Sequence, residues 1–156
     1  MRFSGHDTFA CRTTWLFKGI DFLNTRRTAE NQLDISKLNG HSPTIELGVG
    51  KNMVNAIKHW LLSFGIIDTA ENEFSEIAHL IYADGSDDNS LDAFIEDRFT
   101  LWVLHHEICT LGYASIYFYF FKEYFKRKST RTFSESEFLG ALTSYIKGED
   151  EKLPSI

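Results

Sequence analysis

Apolar residues recur at helical spacing along most of the chain, and polar stretches separate the segments in which they do. The pattern predicts an early helix within residues 9–23 and a short amphipathic helix over residues 74–82. Between them, the polar stretch 24–43 is predicted to be a loop with one helical turn around Ile35–Leu38. The first half therefore combines short helices with polar connections.

Residues 44–67 contain the most informative pattern: a short apolar element, a glycine turn and an amphipathic helix. The turn occupies residues 48–50, and the helix is predicted over Lys51–Phe64, where a glycine ends it. Residues 66–67 then leave in an extended form, and Asp68–Asn72 is predicted to be a short wing or hairpin turn. This order is typical of a helix-turn-helix with a strand after its second helix.

The second half is almost entirely helical in pattern. An acidic stretch at 84–97 is predicted to be a surface loop that leads into one or two helices over about 91–110. Gly112 breaks the pattern, and a further helix with a basic end is predicted over Tyr113–Lys128.

The last helix has the clearest start signal. Ser134 and Glu137 form an S-x-x-E capping box, in which each side chain satisfies a free backbone N–H of the first turn. Gly148 is predicted to end this helix. The side chains predicted to face inward are those of Leu139, Leu142 and Ile146.

Together these elements predict a mainly α-helical protein. We expect a winged helix-turn-helix-like unit over residues 1–83, packed on a helical bundle over residues 84–148. The polar residues 149–156 are expected to form a flexible tail.

Composition adds size and class. The chain has 156 residues, 43% of them hydrophobic, and its 14 Phe, 6 Tyr and 3 Trp can fill a substantial core. No apolar run reaches the roughly 18 residues that span a bilayer. The start lacks the apolar region of a secretory signal, and two cysteines make no disulfide framework. We therefore expect a cytoplasmic protein without a membrane partner.

Charge is unevenly distributed within a net value of −6. Residues 1–70 carry eight basic and six acidic side chains, whereas residues 71–156 carry eight and sixteen. Because attraction to phosphates dominates nucleic-acid affinity, a nucleic-acid surface is expected only in the first half. The alternative is a solvated surface without a polyanionic partner.

The predicted helix 51–64 provides candidate contacts to duplex DNA. Asn can read adenine edges, and Lys can reach guanine or phosphate. The side chains expected on its outward side are those of Lys51, Asn52, Asn55, Lys58 and His59. Arg12, Arg26 and Arg27 are expected to face phosphates. The alternative is a helix pair with a structural or protein-binding role.

No segment has the spacing of a catalytic or metal-binding motif. Residues 48–52 lack the glycine five positions before Gly50, and Asn52 replaces the Ser or Thr that a phosphate-binding loop needs. His105 and Cys109 are four residues apart and could share a metal, but two ligands do not make a site. We predict no catalytic residue, no metal and no cofactor, although a site assembled from distant residues would leave no such spacing.

The first nine residues include an unusually dense mixture of small, charged and aromatic side chains. In the run F-S-G-H-D-T-F at positions 3–9, His6 is a candidate contact for a partner. The alternative is an N-terminal segment tucked against the protein, with His6 hydrogen-bonded internally.

Three blocks resemble the domain of unknown function 4007 family over about residues 2–146. They are F-S-G-H-D-T-F with Arg12 and Trp15-Leu16, L-G-V-G-K-N-M-V with Trp60 and Phe64-Gly65, and T-L-W-V-L-H with Tyr113-Ala114-Ser115. The resemblance implies a winged-helix first half and a setting in bacterial defence islands, often beside sulfur-transfer enzymes of DNA phosphorothioation. It implies no known catalysis. Members are commonly about twice this length, which implies a short form or a missing C-terminal portion.

These observations favour a DNA-binding accessory or specificity component of a bacterial anti-phage defence or DNA-modification system. Its few basic residues predict weak intrinsic affinity, so that a homodimer or a partner enzyme would assist binding. The alternative is a protein–protein adaptor that docks a DNA-modification enzyme through the acidic, aromatic-rich C-terminal half. A third hypothesis, a metal- or sulfur-handling enzyme, depends on His105 and Cys109 alone.

Overall fold

The computed structural model describes residues 3–82, 90–130 and 132–150, and over these ranges the protein is mainly helical. The first part contains α1 (Thr13–Asn24), a 3₁₀ helix (Ile35–Leu38), α2 (Ser42–Leu47), α3 (Lys51–Ser63), β1 (Ile67–Asp68), β2 (Glu73–Phe74) and α4 (Glu76–Tyr82). The second part contains α5 (Arg98–Thr110), α6 (Ser115–Phe118), a π-helix (Tyr119–Tyr124), α7 (Phe125–Arg127) and α8 (Glu135–Asp150).

The core of the first part forms where α1 packs against α3. Leu16 and Leu23 of α1 and Ile57 and Leu61 of α3 are almost completely buried. Gly19 lies at the crossing, and its missing side chain allows the two helices to approach closely. The predicted helices at the start of the chain, at 51–64 and at 74–82 are confirmed, as is the helical turn at Ile35–Leu38.

A short hairpin follows α3. Gly65 has φ +64°, which ends the helix, and Ile67 then pairs with Phe74 in an antiparallel two-stranded sheet. The carboxylate of Asp68 accepts hydrogen bonds from the backbone N–H groups of Ala70 and Glu71 and so closes the turn. The predicted hairpin turn is confirmed, with two residues in each strand.

The start of α5 differs from the prediction. The spacing of apolar residues predicted helix from about residue 91, but α5 begins at Arg98. Ile95 has φ +56°, and the Asp97 side chain accepts the Phe99 N–H at 2.6 Å as an N-cap. Residues 83–89 of the predicted acidic loop lie outside the described residues.

The helix predicted over 113–128 begins at Ser115 and runs to Arg127. Its middle, Tyr119–Tyr124, is π-helical, which the apolar pattern did not predict. Gly112 precedes it with φ +75°, confirming the predicted break.

The predicted capping box of α8 is confirmed. The Ser134 N–H donates to Glu137 at 2.8 Å, and the Glu137 N–H donates to the Ser134 hydroxyl at 3.2 Å. Two other expectations for this helix are wrong: Leu139 is 50% exposed, and the helix continues past Gly148 to Asp150. Instead, the rings of Phe138 and Tyr145 contact the ring of Tyr119 in the π-helix. Leu139 follows Phe138 by one residue and therefore lies about 100° further round the axis of α8. Residues 151–156 of the predicted tail are outside the described residues.

None of the helices in the described part of the chain combines the length and apolar character that crossing a membrane requires.

Candidate nucleic-acid interface

The first turn of α3 is open to solvent and carries no negative charge. Its N-cap, Gly50, provides no side-chain cap, and no acidic residue lies in the first turn. Gly48 ends α2 with φ +66°, so that a two-residue turn leads into α3. Lys51, Asn52 and Asn55 are all exposed, as predicted. The positive end of the helix dipole and two amide side chains therefore share one surface.

The second half of this face is covered. His59 is only 4% exposed, so the prediction that it faces outward is wrong. Its ring packs edge-on against His6 and Trp60 and lies 5.6 Å from the ring of Tyr113. Lys58 is half-buried and donates to the Asn39 side-chain oxygen at 3.1 Å. The outward face of α3 is thus shorter than its sequence predicted.

The cover is the N-terminal segment, residues 3–9. The Trp60 indole N–H donates to the Phe9 carbonyl at 3.2 Å, and the His6 ring stacks on Trp60 with centroids 5.1 Å apart. The segment is tucked against the protein, as one of the two interpretations of the sequence predicted. The His6 Nδ1 atom, however, is buried and neither donates nor accepts a hydrogen bond within the described residues. Stacking on Trp60 holds the His6 ring, and the His6 carbonyl accepts a hydrogen bond from the Phe9 N–H at 3.0 Å.

A cavity of about 550 Å³ lies where the N-terminal segment meets α3. Its walls are residues 3–5 and Asp7 of the segment, Asn55, Lys58 and His59 of α3, and Asn39 and Tyr113 at the sides. The cavity adjoins the exposed start of α3 because Asn55 belongs to both.

The three predicted phosphate contacts outside α3 differ in their availability. Arg26 forms an ion pair with Glu46, and its guanidinium lies over the ring of Phe22. Arg27 donates two hydrogen bonds, of 2.6 and 2.7 Å, to the carboxylate of Glu73. Both cations are therefore already neutralised by carboxylates, which the sequence did not predict. Arg12 is exposed.

The Arg27–Glu73 pair connects the end of α1 to the hairpin. Hydrogen bonds from Arg27 hold the pKa of Glu73 below its usual range. The pair lies on the wall of a second cavity, of about 690 Å³, between α1, β2 and α4. That cavity has no lining residue from α3 among the described residues, so it is separate from the candidate interface.

Comparison with known proteins places the chain in a family. A family model described as "Protein of unknown function (DUF4007)" matches residues 3–156. The chain belongs to the DUF4007 family. The resemblance carried by the three sequence blocks is thereby confirmed, while the family's description assigns no activity. No curated protein shows a significant match.

One solved structure similar to this DUF4007 chain is titled "Magnesium ion-bound SspB crystal structure". The two share 26% sequence identity and superpose with a TM-score of 0.52. The match covers 68% of this chain but only 30% of the SspB chain. The DUF4007 chain thus corresponds to less than a third of SspB.

The cysteines of the DUF4007 chain are poorly suited to thiolate chemistry. Burial raises the pKa of Cys11 to about 12 and also raises that of Cys109. The Cys109 sulfur lies 3.7 Å from the His105 Nε2 atom. Within residues 3–82, 90–130 and 132–150, no three His, Cys, Asp or Glu side chains gather in a way that could hold a metal.

A second surface of the DUF4007 chain was missed by sequence reasoning. On α5, Phe99 is 74% exposed and Trp102 is 70% exposed. Trp102 meets the edge of the His105 ring, which in turn meets that of Phe121. The i, i+3 spacing of Phe99, Trp102 and His105 is present in the sequence, but spacing alone does not show which face of the helix is exposed. We call these four residues the aromatic surface.

Proposed function

We propose that the protein is a DNA-binding accessory or specificity component of a bacterial anti-phage defence or DNA-modification system, and that it reads duplex DNA with α3. The observation that carries the proposal is the exposed, uncapped start of α3 with Lys51, Asn52 and Asn55 side by side. The order of α2, turn, α3 and hairpin supports a winged helix-turn-helix-like unit. The defence setting is supported by the family resemblance alone.

Each group at this surface has a distinct task in the proposal. The N–H groups of the first turn and the Lys51 ammonium suit a phosphate, because both place positive charge at one point. Asn52 and Asn55 lie one helical turn apart and can present their amides to base edges. His59 is removed from the interface, since it is buried. With Arg26 and Arg27 paired to carboxylates, we expect weak affinity that a homodimer or partner enzyme strengthens.

Lys51→Ala is expected to weaken binding to a short duplex about three- to fivefold at moderate salt. Losing one phosphate contact should also lower the slope of log affinity against log salt by about one. Fluorescence anisotropy at several salt concentrations measures both quantities. Lys126→Ala, which removes another exposed helical lysine from α7, is the matched control and should change neither.

Two results would contradict the proposal. One is the absence of any anisotropy change with wild-type protein at low salt, where phosphate attraction is strongest. The other is an equal loss of affinity in both lysine variants, because this would indicate a general charge effect without a role for α3.

The aromatic surface favours a second candidate function, an adaptor that docks a DNA-modification enzyme. Large exposed aromatic side chains such as Phe99 and Trp102 are typical of protein interfaces, and tryptophan is among the residues that most often dominate the binding energy. The acidic charge of this half of the chain also disfavours nucleic acid as its partner.

Trp102→Ala is expected to weaken binding of a phosphorothioation-type sulfur-transfer enzyme about thirtyfold or more, since truncating a hot-spot tryptophan costs about 2 kcal/mol or more. Surface plasmon resonance with the two purified proteins measures the change. Leu139→Ala removes an exposed apolar side chain from α8 and is the control. Unchanged affinity in Trp102→Ala would exclude this surface as the docking site.

A further inference from the structure

We propose that the cavity between the N-terminal segment and α3 receives a single nucleobase turned out of the DNA helix. The inference rests on the proposed function and specifies the form of DNA that is bound. It begins with position, because Asn55 faces both the open start of α3 and the cavity.

Two residues that line the cavity have aromatic side chains, the type of side chain on which unpaired bases stack. Phe3 and Tyr113 are partly exposed aromatic residues of the lining, whereas the His59 ring is almost completely buried against His6 and Trp60. Aromatic side chains bind unstacked bases without strong preference for sequence. A cavity of about 550 Å³ also falls in the usual range for sites that hold small organic ligands.

The polar groups of the cavity suit the edge of a base. The Asn39 side-chain oxygen accepts a hydrogen bond from Lys58, which leaves its NH₂ group as the donor for a ligand. Asn55 is exposed at the rim and offers both a donor and an acceptor. Amides that present this combination match the hydrogen-bonding edges of nucleobases.

The charge of the cavity favours a neutral ligand over a free phosphate. Lys58 brings one positive charge and Asp7 one negative charge, so the two lining ions offset each other. An anion in the cavity would be repelled by the Asp7 carboxylate, and among the lining residues that the structure describes no cation other than Lys58 would offset this repulsion. A base fits this balance, while its own phosphate can remain outside near Lys51.

A base that is already unpaired enters such a pocket at the lowest cost, because no pairing and less stacking must be broken. The protein is therefore expected to bind a duplex with a one-nucleotide bulge about tenfold more tightly than the same duplex without it. This size corresponds to one base gaining an aromatic stacking contact. Anisotropy competition between the two duplexes measures the ratio directly.

Two variants connect the preference to the cavity. Asn39→Ala removes the amide donor, and Ser4→Phe fills the space from the N-terminal segment. Both should reduce the ratio to about one, and Ser4→Phe should leave the affinity for the plain duplex unchanged. Lys51→Ala should weaken both duplexes equally, since it lies outside the cavity.

The outcomes separate this inference from the proposed function. Equal wild-type affinity for the two duplexes overturns the nucleobase site while duplex binding through α3 stands. A bulge preference that survives in both Asn39→Ala and Ser4→Phe also overturns it, because the base would then bind elsewhere. If neither duplex binds at low salt, the proposed function fails, and the inference fails with it.

Discussion

Gly19→Ala is expected to lower the free energy of unfolding by about 1–3 kcal/mol, although alanine is the better helix former. A Cβ atom at Gly19 would lie 2.7 Å from the Leu61 Cδ1 atom and 2.9 Å from the Ile57 Cγ2 atom. Both side chains are completely buried, and a closely packed interior resists the shift that the added Cβ would require. α1 and α3 would have to separate, and the core between them would open.

Gly140→Ala provides a control in which helix propensity acts alone. Gly140 lies within α8, and a Cβ there would meet nothing within 4 Å. This variant is expected to be unchanged or up to about 1 kcal/mol more stable. Urea unfolding followed by circular dichroism measures both variants. If Gly19→Ala is as stable as Gly140→Ala, the close crossing of α1 and α3 is wrong.

The crossing matters for function because it determines which face of α3 is exposed. Gly19 allows Ile57 and Leu61 to lie directly on α1, which turns Lys51, Asn52 and Asn55 outward. A displaced α3 would present the same side chains at a different angle. We therefore expect Gly19→Ala to weaken duplex binding even under conditions in which the protein remains folded.

Local signals in the sequence were sufficient to predict α3 and its surroundings. The apolar period gave the bounds of the helix to within one residue, and the glycines at 50 and 65 marked its two ends. The capping box of α8 was equally local, since its two residues are three positions apart. Patterns of this kind depend on neighbours in sequence, so a single sequence contains them.

Contacts between distant residues could not be predicted in this way. The burial of His59 depends on a segment about 50 residues earlier, and the helical period placed His59 on the same side as Asn55. The neutralisation of Arg27 depends on Glu73, 46 positions away. Helical spacing also cannot show which face of a helix is buried when large apolar side chains lie on two faces. On α5, Leu104 is buried whereas Trp102 is exposed.

Gly5→Ala is expected to detach the N-terminal segment from α3 without unfolding the rest of the protein. Gly5 has φ +136°, a conformation that costs a residue with a side chain on the order of 1–3 kcal/mol. In addition, its Cβ would lie 2.6 Å from the Nδ1 atom of His59. The segment has few other anchors, chiefly the Trp60–Phe9 hydrogen bond and the stacking of His6 on Trp60.

Hydrogen exchange of the Trp60 indole N–H reports this detachment, because that group donates to Phe9 only while the segment is seated. We expect exchange of the indole N–H to become about ten- to a hundredfold faster in Gly5→Ala, because the strain destabilises the attached segment and raises the fraction of molecules in which it is detached. Gly40→Ala introduces a side chain at another positive φ, +92°, but with nothing within 4 Å, and should leave Trp60 exchange unchanged. Equal exchange in Gly5→Ala and wild type would mean that the segment does not cover α3. His59 would then be available to DNA after all, and the cavity would lack the wall that Gly5 and its neighbours provide.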